Sequence, residues 1–194
     1  PEIWQHLAAG DILDVFQFNS GVGLSVAKSM RPQNPLEMTA ANAMMRLMNE
    51  PGVESQQDRY VRIKQGGIDL FEKEMTEHHL PKKMKERLHH YCDQYYGCSA
   101  IQEQMMEILM DDEIACFTLK EANDARKIVG KKQMARIPEL HEKFNQVMSP
   151  ALADYVWKLA VAPQLGYAFS INHSLPYSFV GIQTIILATK FNPV

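Results

Sequence analysis

Three helix-start signals follow one another in the second half of this chain, and they constrain its fold more than any other feature. Thr118-Leu119-Lys120-Glu121 has the S/T-x-x-E form of a capping box, in which two side chains satisfy orphan backbone N–H groups at a helix start. Pro138 opens a second apolar run through Leu140, Phe144 and Val147. Ser149-Pro150 places a cap residue before a first-turn proline, ahead of Tyr155, Trp157 and Leu159. Between these starts the apolar residues recur at helical spacing, as in Ala122, Ala125, Ile128 and Val129 before Gly130. Pro163 closes the last run.

The same punctuation organises the first half. Residues 2–9 suit a short helix ended by Gly10, and Asn19 or Ser20 caps another to about Met30, with Gly21 and Gly23 weakening its first turn. Between them, Val15-Phe16-Gln17-Phe18 alternates apolar and polar and is expected to be a short extended piece. Pro35 to Asn49 reads as a helix rich in methionine (Met38, Met44, Met45, Met48); thioethers fill cores or adapt to partner surfaces, and core filling is the preferred reading. Glu50 to Gln57, with Pro51-Gly52, is expected as a turn or loop. Ile68 to His79 and Lys82 to Tyr95 suit two helices separated at Leu80-Pro81, and Met105, Ile108 and Leu109 mark a helix that Asp111 closes. No repeat is present, and the expected fold class is all-α.

Composition narrows the function classes. At 46% hydrophobic and 22% charged, 194 residues are enough for one domain, or one domain with a smaller lobe. A net charge of -3 argues against a uniformly basic nucleic-acid binder, though a local basic surface steers as well. Cys92, Cys98 and Cys116 lack a C-x-x-C spacing and point to reduced thiols in a cytoplasmic setting. No apolar run approaches the roughly 18 residues a membrane span needs. Pro1-Glu2-Ile3-Trp4 has no secretory pattern. With Pro1 at one end and Val194 at the other, the chain is read as a fragment of a longer protein.

Several clusters suggest chemistry. His78-His79 and His89-His90 invite a metal reading, but adjacent helical residues diverge by about 100°, so solvated helix faces are expected. Asp111-Asp112-Glu113 is the one dense carboxylate group; two-metal sites need convergent carboxylates, and a solvated helix end is expected here too. Between Asp124 and Arg136 lie five basic residues (Arg126, Lys127, Lys131, Lys132, Arg136) and a single acidic one. The helix dipole favours one or two cations at a C-terminus, but not five; a polyanion opposite would favour them all. Gly166-Tyr167-Ala168-Phe169-Ser170-Ile171-Asn172-His173-Ser174-Leu175-Pro176-Tyr177 gathers small hydrogen-bonding side chains around one histidine, ahead of an apolar helix expected from Tyr177 to Leu187.

These blocks resemble the C-family replicative DNA polymerases, the alpha subunit of bacterial DNA polymerase III. The family's G-Y-x-F-x-x-x-H-S-x-x-Y pattern appears as Gly166, Tyr167, Phe169, His173, Ser174 and Tyr177, followed by Gln183-Thr184. Its V-F-Q segment matches Val15, Phe16, Gln17 and a following Ser20; its Y-G … Q-E-Q-x-M block matches Tyr96-Gly97 and Gln102, Glu103, Gln104, Met106. Its R-R-x-x-G-K-K-K element, after Thr118-Leu119, matches Arg126, Gly130, Lys131 and Lys132, with Lys127 and Gln133 as departures. The resemblance covers both ends and is poorest over 51–95, a divergence that suggests a phage-borne relative.

The resemblance implies an irregular helical fingers domain: one fragment, 1–194, with a first helical part (1–50), a divergent helical middle (51–95) and a nucleotide-facing part (96–194). It implies binding of dNTP and primer-template DNA through Arg126, Lys127, Lys131, Lys132, Tyr167, Asn172, His173 and Ser174, with Arg46 as a weaker candidate. His173 would lie beside the sugar and help reject a 2′-hydroxyl. Catalytic aspartates and their Mg²⁺ belong to the family's palm, and no D-x-D occurs in this chain, so no catalytic or metal-binding residue is assigned. The implied partners are the palm and thumb of a parent nucleotidyltransferase, in a bacterial or phage-infected cytoplasm. The alternative is a free-standing helical interaction protein that uses its methionine-rich surface.

Overall fold

The start signals become helices, although the Ser149 side chain makes no cap bond ahead of Pro150, and the all-α expectation holds. The computed structural model describes residues 2–10, 15–47, 54–167 and 169–191; eleven α-helices and no strand occur among them. Packing groups the chain into two compact units, Pro1–Arg46 with Ser170–Val194, and Leu47–Phe169.

In the first unit, α1 (Glu2–Ala9) ends at Gly10. The next helix, α2 (Gly21–Met30), starts where the Ser20 hydroxyl accepts from the Gly23 N–H, and stops at a left-handed Arg31. Asn34 caps α3 (Pro35–Met44), along which α11 (Ile171–Phe191) packs. Met38 and Met44 are buried, as core filling requires, and this withdraws them from any partner surface. Met48 and Pro51-Gly52 lie outside the described residues.

Three expectations change in this unit. Val15 to Phe18 is a turn and not an extended piece: Gln17 takes φ 71°, and the Phe18 N–H donates to the Val15 carbonyl at 2.9 Å. With no strand among the described residues to pair its backbone, the segment buries Val15 and Phe18 together and leaves Phe16 exposed. Second, α3 stops at Met44 and gives way to a turn through Leu47 before reaching Asn49. Third, α11 starts well before Tyr177. The Ser170 carbonyl accepts from the N–H groups of His173 (3.1 Å) and Ser174 (3.0 Å), and its hydroxyl accepts from Asn172 N–H (3.3 Å). Pro176 then lies inside the helix, where its missing N–H gives up one bond to the Asn172 carbonyl.

The second unit holds α4 (Gln56–Gly66), α5 (Asp69–Glu77), α6 (Lys82–Cys92), α7 (Gln102–Met110), α8 (Leu119–Gly130), α9 (Ile137–Val147) and α10 (Pro150–Val156). A wide turn, Trp157–Val161, and a tight one, Ala162–Gln164, carry α10 onward. Ile63, Phe71, Leu88, Met105, Phe144 and Trp157 share its core. Although α4 is absent from the sequence expectation, its start is conventional: Ser55 accepts from the Asp58 N–H at 3.0 Å. Gln104, the second glutamine of the Q-E-Q block, is buried and pins the loop that enters α7. Its amide nitrogen donates to the carbonyls of Tyr91 and Cys98 (2.8 Å each), and its oxygen accepts from Ala100 N–H (2.8 Å).

Two surface expectations also change. Asp111 is buried rather than solvated: Arg87 Nε (2.5 Å) and Tyr91 Oη (2.7 Å) close on its Oδ2, and its Oδ1 accepts from Glu113 N–H (2.9 Å). Burial pushes its carboxyl up, but the bonds from Tyr91 and Arg87 outweigh that and hold it below its ordinary value. His89 is likewise engaged, between Asp93 and Glu72.

Candidate functional site

The basic stretch rides on α8. Both halves of its capping box form, with the Thr118 hydroxyl accepting from Glu121 N–H (3.3 Å) and the Glu121 carboxylate accepting from Thr118 N–H (2.7 Å). Burial of Ala122, Ala125, Ile128 and Val129 turns Asn123, Arg126 and Lys127 to the flanks of the helix. Gly130 is the last helical residue; the left-handed reversal falls instead on Lys132 (φ 48°), after which Gln133 N–H donates to the Ile128 carbonyl at 2.9 Å.

Among the described residues, Arg126, Lys127, Lys131 and Lys132 form no ion pair, whereas Arg136 is closed. Its Nη2 lies 2.7 Å from Asp124 Oδ2 and its Nε 3.2 Å from Glu139 Oε2. The bond from Arg136 holds the Asp124 carboxyl below its usual range. The one acidic side chain inside the stretch therefore answers the one basic side chain that the resemblance leaves out.

The four remaining cations do not face one way. Lys127 lines a cleft of about 510 Å³ between α8 and α9, together with Asp124, Glu139 and Lys143. Arg126, one residue back and so about 100° around the helix, turns to the other flank. Its Nε and Nη2 donate to Asn123 Oδ1 (3.1 and 2.9 Å), and its Nη1 donates to Gln102 Oε1 (3.3 Å) on α7. Gln102 N–H donates to the Phe169 carbonyl (2.9 Å), and the exposed Tyr167 ring stacks on the buried Phe169 ring at 5.8 Å. Gly166, at φ 90°, donates its N–H to the Val129 carbonyl (2.9 Å); a Cβ there would come within 3.4 Å of Lys132 Cδ. Lys132 thus lies against Gly166, and Arg126 is tied through Gln102 to Phe169, on which Tyr167 stacks; Lys127 shares none of these contacts. Lys131 is exposed beside Lys132.

Arg46, Asn172, His173 and Ser174 belong to the first unit. Asn172 and His173 are exposed in the first turn of α11; the His173 ring lies 6.0 Å from that of Tyr177, which meets Phe16 edge-on at 5.4 Å. Ser174 is buried, and its hydroxyl donates to the Thr39 carbonyl at 2.8 Å. Its own carbonyl accepts from Asn42 Nδ2 (3.4 Å) and Ser178 Oγ (2.7 Å). Arg46 Nη1 donates to the Asn42 side-chain and main-chain oxygens at 3.0 Å each, and Nη2 to Gln17 Oε1. The V-F-Q turn, the end of α3 and the start of α11 therefore form one network within this unit.

Sequence reasoning missed the carboxamides that hold the candidate arginines: Asn123 and Gln102 on Arg126, Asn42 and Gln17 on Arg46. Two of them sit in the Q-E-Q and V-F-Q blocks, but nothing in the sequence names their partners. As for metals, no group of three or more His, Cys, Asp or Glu side chains among the described residues is arranged to hold an ion. No described helix is long and apolar enough to cross a membrane.

Comparison with known proteins bears on these blocks directly. The family model described as the bacterial DNA polymerase III alpha subunit finger domain matches residues 1–151. The chain is similar to the probable DNA polymerase YorL of Bacillus subtilis (strain 168), at 34% identity over 198 residues covering 100% of this chain and 15% of the relative. A DNA-directed DNA polymerase of Bacillus phage SPbeta gives the same figures, 34% over 198 residues, with 100% and 15% covered. The DNA polymerase III subunit alpha of Treponema pallidum (strain Nichols) is 29% identical over 199 residues, 98% of this chain and 15% of that protein. The chain thus spans about 15% of the length of these curated relatives. Across the matched span, which takes in the V-F-Q turn, the Q-E-Q helix and the whole basic stretch, the chain belongs to the finger-domain family of the bacterial DNA polymerase III alpha subunit.

Proposed function

We propose that this chain is the fingers region of a DNA-directed DNA polymerase of the polymerase III alpha type, a nucleotidyltransferase of DNA replication, and that it binds the incoming dNTP and template. One observation carries the reading: on and just after α8, Arg126, Lys131 and Lys132 pair with no carboxylate among the described residues, in a chain whose net charge is -3. Clustered like charges repel, and a triphosphate opposite them reverses the sign of that term. Arg126 would present guanidinium donors to phosphate oxygens. Lys131 and Lys132 would act as point charges nearby, and Lys127 supplies charge without the planar fork of an arginine. Tyr167 offers an aromatic face, and Asn172 and His173 are exposed at the start of α11, where the bulk of His173 would oppose a 2′-hydroxyl. Ser174 would contribute by holding that start to Thr39. Arg46 is a further candidate, carried by Gln17 and Asn42.

Polymerase chemistry uses two metal ions held by convergent carboxylates. The residues here do not fit that role. Asp111 is closed by Arg87 and Tyr91, and Glu113 is paired with Lys83 at 2.7 Å. Mg²⁺ would be held elsewhere in the polymerase, with palm and thumb as partners and a bacterial or phage-infected cytoplasm as the setting. No step is assigned to a metal on this chain.

The test is Arg126→Ala in the intact polymerase, read by single-nucleotide insertion. Losing a charge-assisted phosphate contact should lower kcat/KM for dNTP roughly ten- to a hundredfold. Unchanged kinetics in a folded variant would return the cluster to complementing the helix dipole.

A further inference from the structure

Every other arginine of the second unit is closed by a carboxylate: Arg59 by Glu74 (2.6 Å), Arg62 by Glu54 (2.6 Å), Arg87 by Asp111 (2.5 Å) and Arg136 by Asp124 (2.7 Å). Arg126 is held by two carboxamides instead, through Asn123 Oδ1 and Gln102 Oε1. Carboxylates stand next to both holders in the sequence, and each is engaged elsewhere. Asp124 answers Arg136, and Glu103 Oε1 accepts from Gln102 Nε2 at 3.1 Å. The second bond fixes the Gln102 amide with its oxygen toward Arg126.

The choice of acceptor matters because a carboxylate and a carboxamide do different things to a guanidinium. Both orient its N–H donors. A carboxylate also cancels its charge, adding an ion-pair attraction that a neutral carboxamide lacks. For stability alone, aspartate or glutamate would be the better partner for a half-buried arginine, and the chain uses the weaker one. The Gln102 main chain adds a second tie, since its N–H donates to the Phe169 carbonyl at 2.9 Å. The holder of Arg126 is thereby fixed to the segment that carries Tyr167.

We propose that Gln102 and Asn123 are positioning residues that keep the Arg126 guanidinium aimed and uncompensated for the triphosphate of the incoming nucleotide. The proposal rests on the assignment of Arg126 to that triphosphate. It implies that near-isosteric charged replacements stabilise the fold and harm nucleotide use together, whereas a merely structural contact would move the two in the same direction.

The experiment compares Asn123→Asp, Gln102→Glu, Asn123→Ala and Arg126→Ala in the intact polymerase, reading single-nucleotide insertion kinetics and thermal unfolding. Asn123→Asp and Gln102→Glu should keep or raise the melting temperature while raising KM for dNTP about tenfold, with kcat changed less. Asn123→Ala, which removes a holder without adding charge, should raise KM by less than Asn123→Asp. If the acidic variants lower melting temperature and nucleotide use together, the contacts are structural and the proposal fails. If KM stays unchanged in the acidic variants but rises in Arg126→Ala, the cradle is overturned and the assignment of Arg126 survives. An unchanged KM in Arg126→Ala itself would remove both.

Discussion

His89 stands between two carboxylates, with Nδ1 2.7 Å from Asp93 Oδ1 and Nε2 3.0 Å from Glu72 Oε2. Lys85 shares Glu72, and the Phe71 ring meets the imidazole edge-on at 5.2 Å. Burial alone would disfavour the charged ring, but the hydrogen bonds to Asp93 and Glu72 prevail and raise its pKa above the ordinary 6.5. A group whose pKa is raised on folding binds its proton more tightly in the native state. Its stabilising contribution is therefore complete below the unfolded value of about 6.5 and fades as pH rises through the folded value. His89→Gln should cost more at pH 5.5 than at pH 9, by less than about 1 kcal/mol for a partly exposed pair. Urea unfolding of both proteins at the two pH values measures this, and a gap independent of pH would show that His89 works by packing. His141 provides the contrast. Its ring lies 3.6 Å from that of Trp157, burial lowers its pKa, and no carboxylate bond reverses the shift.

At the scale of the element, the contact of α11 with α3 depends on a residue without a side chain. A Cβ on Gly181 would lie 2.6 Å from Met38 Cε and 3.2 Å from the Phe16 carbonyl oxygen. The methionine tip is flexible but buried, and the carbonyl belongs to the Val15–Phe18 turn. Gly181→Val gains a few tenths of a kcal/mol in helix propensity and should lose about 1–3 kcal/mol to overpacking. The urea midpoint should therefore fall with the m-value unchanged; an equal or higher midpoint would mean that close approach is not required. The helix starts after Ser20 and Thr118 were legible from the side chains that cap them, and that of α3 from its first-turn Pro35. Ser55 carries the same signature but was hidden by the loop-like Pro51-Gly52 just before it. The start of α11 was not legible, because Pro176 reads as a stop and the main chain of Ser170 does much of the capping. The turn at Gln17 was not legible either, since a left-handed glutamine leaves no mark in composition. Of the site, the cations were plain in the sequence. Their compensation was not, because Arg126 and Arg136 differ only in the acceptors that folding brings to each.

At the scale of the whole molecule, the proposed role separates gripping charge from driving phosphoryl transfer. Transfer needs the attacking hydroxyl and the leaving oxygen held in line, with metal ions clamped by convergent carboxylates neutralising the charge that develops. Arg126, Lys131 and Lys132 can answer phosphate charge, but cations alone do not bring a 3′-hydroxyl into attack. The densest acidic group is already committed, Asp111 to Arg87 and Glu113 to Lys83, so freeing it for a metal would break buried or paired contacts. No D-x-D pair is available in its place. The purified chain, given primer-template, the four dNTPs and Mg²⁺, should therefore incorporate no nucleotide, while the intact polymerase does so under the same conditions. Radiolabelled primer extension is sensitive enough to decide this, provided contaminating polymerase is controlled by carrying a mock purification in parallel. Template-directed extension that copurifies with the chain and exceeds the mock would overturn the assignment of the catalytic carboxylates to another part of the polymerase.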